Sequence, residues 1–159
     1  MRLLNRNEEE SINSFLRETI EVAKKATCGR SKCGAIIVKD GIIIGKGFNS
    51  PPKELESQRR CLSKKSEYDL KVTDKTCCIH AEQRAMFDTL KLNSEEILGS
   101  ILYFIRLDEK NEIMYAGKPY CTICSKMALD LGVKEFVLMH EEGIGVYNTE
   151  EYNNLSFNY

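Results

Sequence analysis

At 159 residues, with 42% apolar and 30% charged side chains, the chain is long enough to bury a sizeable core and too apolar to stay disordered. Its formal net charge of −1 gives no general reason to expect a nucleic acid or a membrane surface as partner. No run of about 18 apolar residues predicts a transmembrane helix, and Met1 to Arg6 turns polar at once, unlike a signal peptide.

In chain order, Ile12, Phe15, Leu16, Ile20, Val22, Ala23 and Ala26 recur at helical spacing and predict a helix over 8–26. Asn7 is its expected cap, Glu8, Glu9 and Glu10 suit its positive end, and Cys28-Gly29 stops it. Gly34 to Lys39 reads as a strand, Asp40-Gly41 as a hairpin turn and Ile42 to Phe48 as the returning strand. Their near-continuous apolar character implies that layers cover both faces of the sheet. Residues 50–79 then show no period and form a long loop insertion within a single domain, 1–159. Its Arg59, Arg60, Lys64 and Lys65 read as a solvated loop or as a phosphate-binding or lid segment.

Residues 80–91 predict a second helix, with Ala81, Ala85, Met86 and Leu90 inward. Residues 101–105 predict a buried strand, and 108–117 a loop with a short extension at 113–115. A third helix starts near Cys121, turns Ile123, Met127, Ala128 and Leu131 inward, and ends at Gly132. Residues 133–139 make a fourth strand, and the polar tail from His140 carries a short helix at 149–153. This order implies an α/β fold: a mixed sheet with helices on both faces.

Seven cysteines, an odd number without a secretory signal, argue against a disulfide framework and for metal ligation in a reducing cytoplasm. His80, Cys121 and Cys124 supply one imidazole and two thiolates, the three protein ligands of a catalytic zinc that keeps one position for water. Cys121 and Cys124, at i and i+3, share one helix face in a first turn, where unpaired N–H groups stabilise thiolates. His80 opens its own helix in the same way. Glu82 need not coordinate; beside the metal it can take a proton from water and hand it to a leaving group. A lone Cys-x-x-Cys also suits a redox pair or half of a structural zinc site. The combination of His-x-Glu with Pro-Cys-x-x-Cys is the signature of zinc nucleobase deaminases.

With these residues in place, the chain resembles the cytidine and deoxycytidylate deaminase superfamily over about residues 10–140. The resemblance rests on His80-Ala81-Glu82-Gln83 and Cys121-x-x-Cys124. Gly34 to Gly41, Gly47-Phe48-Asn49, Cys28-Gly29-Arg30 and Cys61 are similar to the deoxycytidylate branch. It implies a three-layer α/β/α sandwich, cytidine deaminase-like. It also implies zinc-dependent hydrolytic release of ammonia from a cytosine-type nucleotide or nucleoside, with Glu82 shuttling protons. Asn49 would hydrogen-bond the sugar or base, the Ala81 N–H would read the ring carbonyl, and a homo-oligomer is expected. Two positions depart from the family pattern. Pro119 lies one residue before the usual place, leaving Tyr120 ahead of Cys121 to flank the pocket or simply to pack. Arg84 replaces a frequent asparagine and reads as a phosphate contact or a solvated helix arginine.

The remaining thiols suggest a second, structural zinc that pins the long loop: Cys28, Cys61 and one of Cys77 or Cys78. Cys33 reads as a small core residue. Two alternatives stand beside the main reading: a deaminase of RNA, a purine or another amino-heterocycle, and a zinc-stabilised binding domain without turnover.

Overall fold

The structure, a computed structural model, describes residues 1–72 and 76–158. Part of the predicted loop 50–79 therefore lies outside the described residues. The elements run β1 (Arg2–Leu3), α1 (Arg6–Lys24), β2 (Lys32–Lys39), β3 (Ile42–Phe48), α2 (Ala81–Leu92), β4 (Ile101–Leu107), β5 (Ile113–Met114), α3 (Thr122–Asp130), β6 (Glu135–His140), β7 (Gly143–Asn148) and α4 (Thr149–Ser156). The strands form one mixed sheet of order β1-β7-β6-β4-β2-β3, with β5 added to β4. β4 and β6 run parallel, and the other pairs are antiparallel.

Helices cover both faces. Leu16, Val22 and Ala23 of α1 pack with Ile36, Val38, Tyr103, Ile105 and Val137. On the other face Ala81, Ala85 and Met86 of α2, Ala128 of α3 and Tyr152 of α4 pack with Ala35, Ile37, Leu102 and Phe136. Alternate residues of β2 thus serve opposite cores, which is why the strand reads as apolar throughout. The result is the expected α/β/α arrangement.

The differences are local. The first helix is capped by Asn5, whose side chain accepts from the Glu8 N–H while Glu8 returns a bond to the Asn5 N–H. It starts two residues before the predicted 8–26 and ends at Lys24, not at Cys28-Gly29. Asp40 and Gly41 both take positive φ, 49° and 78°, as a tight hairpin needs. The polar tail from His140 contains β7, which pairs antiparallel with β6, and α4 continues to Ser156. Among the described residues between β3 and α2 the chain makes three single 3-10 turns, none with a buried residue.

Gly47 positions the first turn of α2. A Cβ there would lie 2.3 Å from both the Ala81 carbonyl and the Ala85 nitrogen. The bare backbone lets α2 sit directly on β3 and fixes where the helix begins.

Candidate metal centre and active-site cleft

His80 is the residue that caps α2, and Cys121 caps α3. Both helices start beside the C-terminal ends of the parallel strands β4 and β6, the edge at which α/β sheets place their ligands. The His80 N–H donates to Gln83 Oε1 at 3.0 Å, and Gln83 Nε2 reaches Met127 Sδ on α3 at 3.8 Å. Gln83 therefore ties the two helix starts together.

His80 Nδ1 lies 3.3 Å from Cys121 Sγ and 3.4 Å from Cys124 Sγ. Tetrahedral bonds of about 2.1 Å to nitrogen and about 2.3 Å to sulfur set such donors about 3.6–3.8 Å apart. Both nitrogen–sulfur separations are within a few tenths of an ångström of that spacing, the three donor atoms lie within 4.8 Å of one another, and the two thiols and the imidazole are the donor set zinc favours. The Cys124 N–H points at Cys121 Sγ, 3.4 Å away. A hydrogen bond from the Cys124 thiol, followed by His80, brings Cys121 down to about 4, whereas Cys121 and burial push Cys124 up.

Glu82 sits in the first turn of α2, 7% exposed. Burial raises its carboxyl above the usual range, and the His80 charge partly opposes this. It lines a cleft of about 490 Å³ together with His80, Ala81, Cys121, Asn49 and Cys33. Ala81 is the first residue of α2, so its N–H has no carbonyl one turn back. The Cys33 thiol is pushed up to about 12 by burial and then by Glu82. It packs against the core, as its sequence position suggests.

Asn49 lines the cleft with its carboxamide partly engaged. Oδ1 accepts from the Cys33 N–H at 2.8 Å, and Nδ2 donates to the Ser31 carbonyl at 3.0 Å. The side chain holds the start of β2 against the end of β3. Tyr120 forms part of the cleft wall and is 62% exposed, which favours the pocket reading over packing. Arg84 does neither thing expected of it. Its Nη2 donates to Ser50 Oγ at 2.7 Å and to the Pro51 carbonyl at 2.9 Å, and its guanidinium lies 5.9 Å from the Phe48 ring centre. It is a tie between α2 and the root of the long loop, outside the cleft lining.

The cleft also contains residues that periodicity did not single out: Phe104, Arg106, Lys118, Arg30 and Tyr152. Arg106 alternates in phase with Leu102 and Phe104, so a cation in an otherwise apolar strand was the available signal. Tyr152 comes from α4, stacks on Phe136 at 4.1 Å and receives the Tyr120 backbone N–H, which steadies the segment before Cys121.

A second thiol cluster forms part of the same wall. Cys61 Sγ is 3.2 Å from Cys77 Sγ and 3.9 Å from Cys78 Sγ, and the latter two are 3.7 Å apart. The thiols of Cys28, Cys61 and Cys78 lie within 4.8 Å of one another. Burial works to raise the Cys61 thiol, but the Gly29 N–H and the neighbouring thiols bring it to about 7 overall.

Residues 9–140 match the cytidine and deoxycytidylate deaminase zinc-binding region, so the chain belongs to this family and is a hydrolytic deaminase. It is 28% identical over 133 residues to the deoxycytidylate deaminase of Mycobacterium phage D29, covering 80% of this chain and 92% of that one. It is 28% identical over 142 residues to the deoxycytidylate deaminase of Schizosaccharomyces pombe, covering 85% of this chain but only 39% of that longer protein. The dCMP deaminase of cyanophage S-TIM5, solved with dCMP and dUMP, superposes with a TM-score of 0.56 at 26% identity, over 84% of this chain and 81% of that one. Zinc is the cofactor of this family, and the His80, Cys121 and Cys124 donors suit it.

Proposed function

We propose that residues 1–159 form one catalytic domain that hydrolyses deoxycytidylate to deoxyuridylate and ammonia. The observation that carries this reading is the His80, Cys121 and Cys124 triad with buried Glu82 beside it, at the base of a cleft with cationic walls. His80, Cys121 and Cys124 hold the zinc, which when bound brings the pKa of a water toward neutrality.

The Glu82 carboxylate would accept a proton from that water and pass it to the ring nitrogen beside the amine-bearing carbon, then carry the second proton, from the added hydroxyl, to the departing amino nitrogen, so that ammonia leaves and a ring carbonyl replaces the C–N bond. Its raised proton affinity suits a group that must both accept and release a proton near neutral pH. The Ala81 N–H, unpaired by helix geometry, binds the ring carbonyl. Asn49 keeps its backbone ties and uses its second amide N–H on the sugar. Phe104 supplies apolar wall and helps keep bulk water from the base.

The cleft lining favours a phosphorylated substrate. Arg30, Arg60, Lys65, Arg106 and Lys118 line it, and Glu82 is the single carboxylate among the described lining residues. The test is ammonia release by zinc-loaded protein over deoxycytidylate, cytidylate, deoxycytidine, cytidine, cytosine, guanine and adenosine. Deoxycytidylate should be the preferred substrate; turnover confined to a purine would replace the reading.

A second zinc would suit Cys28, Cys61 and Cys78, whose sulfurs lie within 4.8 Å of one another, with Cys77, 3.2 Å from Cys61 and 3.7 Å from Cys78, as the fourth soft donor. Metal analysis should give two zinc ions per chain and one in Cys61→Ser; one zinc per chain in both removes the second site. Thiolate chemistry of this kind fits the cytoplasm. None of the described helices is long and apolar enough to cross a membrane.

A further inference from the structure

The segment around Cys61 has almost nothing apolar to hold it. Its 3-10 turns bury no residue, and Leu55 and Leu62 are 49% and 93% exposed. Its ties converge instead on Cys61, which is buried. The Gly29 N–H points at Cys61 Sγ, 3.4 Å away, and Arg30 donates to the carbonyls of Cys61 at 2.9 Å and Ser63 at 3.1 Å. Arg59 donates to the Thr27 carbonyl and pairs with Glu56. Cys77 and Cys78 close the cluster from the other end of the loop, just before His80.

Arg60 and Lys65 flank this anchor and line the cleft that holds the metal triad. The same cleft is lined by Arg106 on β4 and Lys118 in the segment before α3. None of these four cations forms an ion pair with a carboxylate among the described residues. A chain of net charge −1 thus gathers unneutralised positive charge at one opening. Of the four, only Arg106 lies on a strand; Arg60 and Lys65 lie on the loop that carries Cys61. Their position depends on the thiol cluster.

We infer that the metal held by Cys28, Cys61, Cys77 and Cys78 is a specificity device: it fixes Arg60 and Lys65 against the cleft so that the site selects a nucleoside 5′-monophosphate over the nucleoside. The inference rests on the proposed deamination of a cytosine nucleotide. The cluster does not touch the base or the reacting amine. Its loss removes one side of the phosphate clamp and leaves Arg106 and Lys118 in place.

The experiment uses the zinc-loaded full chain and three variants: Cys61→Ser, Cys77→Ser and the surface double variant Arg60→Ala/Lys65→Ala. Four quantities are measured: zinc per chain, binding of dUMP and of deoxyuridine by calorimetry, kcat/KM for deoxycytidylate and for deoxycytidine, and trypsin cleavage within 50–72. Every variant should lose its preference for the phosphorylated ligand by about tenfold or more, as for the loss of charge-assisted contacts. Cys61→Ser and Cys77→Ser should in addition lose one zinc and be cut faster in the loop. If a cysteine variant does not fold, the double variant and the other cysteine variant still decide the matter. An unchanged preference in the double variant, or loss of one zinc with the preference intact, overturns the inference. A wild-type protein that neither binds dUMP nor releases ammonia from any pyrimidine overturns the underlying reading instead.

Discussion

Glu82 is a carboxylate that folding would not choose for stability. It is buried in the first turn of a helix, beside a histidine and two cysteines that could hold a metal without it. Burial outweighs the nearby His80 charge and raises the Glu82 carboxyl, a cost that fits the proposed proton transfer rather than stability. Glu82→Gln, of nearly the same shape, should lower kcat by about 10²–10⁴-fold, the usual worth of general acid–base catalysis. Its zinc content, read by mass spectrometry, should match the wild type. Asn49 makes the contrasting case, a residue with a structural job inside a binding site. Asn49→Ala strands the Cys33 N–H and the Ser31 carbonyl. Thermal unfolding should show a loss of about 1–3 kcal/mol together with a raised KM. A raised KM at unchanged stability would mean that the backbone ties contribute nothing.

At the scale of elements, two helix starts must meet within a few tenths of an ångström, and the sheet sets where each begins. α2 lies on β3 through Gly47, and α3 is held by α4, whose Asn153 Oδ1 and Ser156 Oγ lie 2.9 Å and 3.1 Å from Ser125 Oγ. Gly47→Ala places a methyl group where the Ala81 carbonyl now stands. Overpacking of this kind costs about 1–3 kcal/mol. Here it should also displace His80, so urea unfolding should shift and the catalytic zinc should be lost more readily to a chelator. Normal stability and normal zinc retention would mean that α2 moves away without consequence.

This dependence on neighbours also explains what could be read from the chain directly. His80, Glu82, Cys121 and Cys124 were legible because the chemistry of a metal site restricts residue types and spacing. The central strands and helices were legible because their apolar residues repeat. β7 was not, because Gly143 and Gly145 interrupt it and acidic Glu141 and Glu142 precede it; only Ile144, Val146 and Tyr147 face the cores. Arg84 was misjudged for a different reason: its partners, Ser50 and Pro51, lie more than thirty residues away, and no local pattern announces such a tie.

For the whole molecule, α2 and α3 leave Phe87, Leu90, Ile123 and Leu129 between 38% and 43% exposed on the outer layer. Apolar residues exposed in this number on two neighbouring helices suit contact with a second copy of the chain. Sedimentation should show a homo-oligomer, and Phe87→Glu/Ile123→Glu should shift it toward the monomer. A wild-type protein that sediments as a monomer at all concentrations would contradict this expectation.

The account stands or falls on one reaction. Zinc-loaded wild-type protein and zinc-loaded Glu82→Gln are given deoxycytidylate, and deoxyuridylate and ammonia are measured together. Equal amounts of the two products from the wild type, and a rate lower by about 10²–10⁴-fold in the variant, are the predicted result. Undiminished turnover in Glu82→Gln, or no product from the wild type with zinc bound at His80, Cys121 and Cys124, would contradict it.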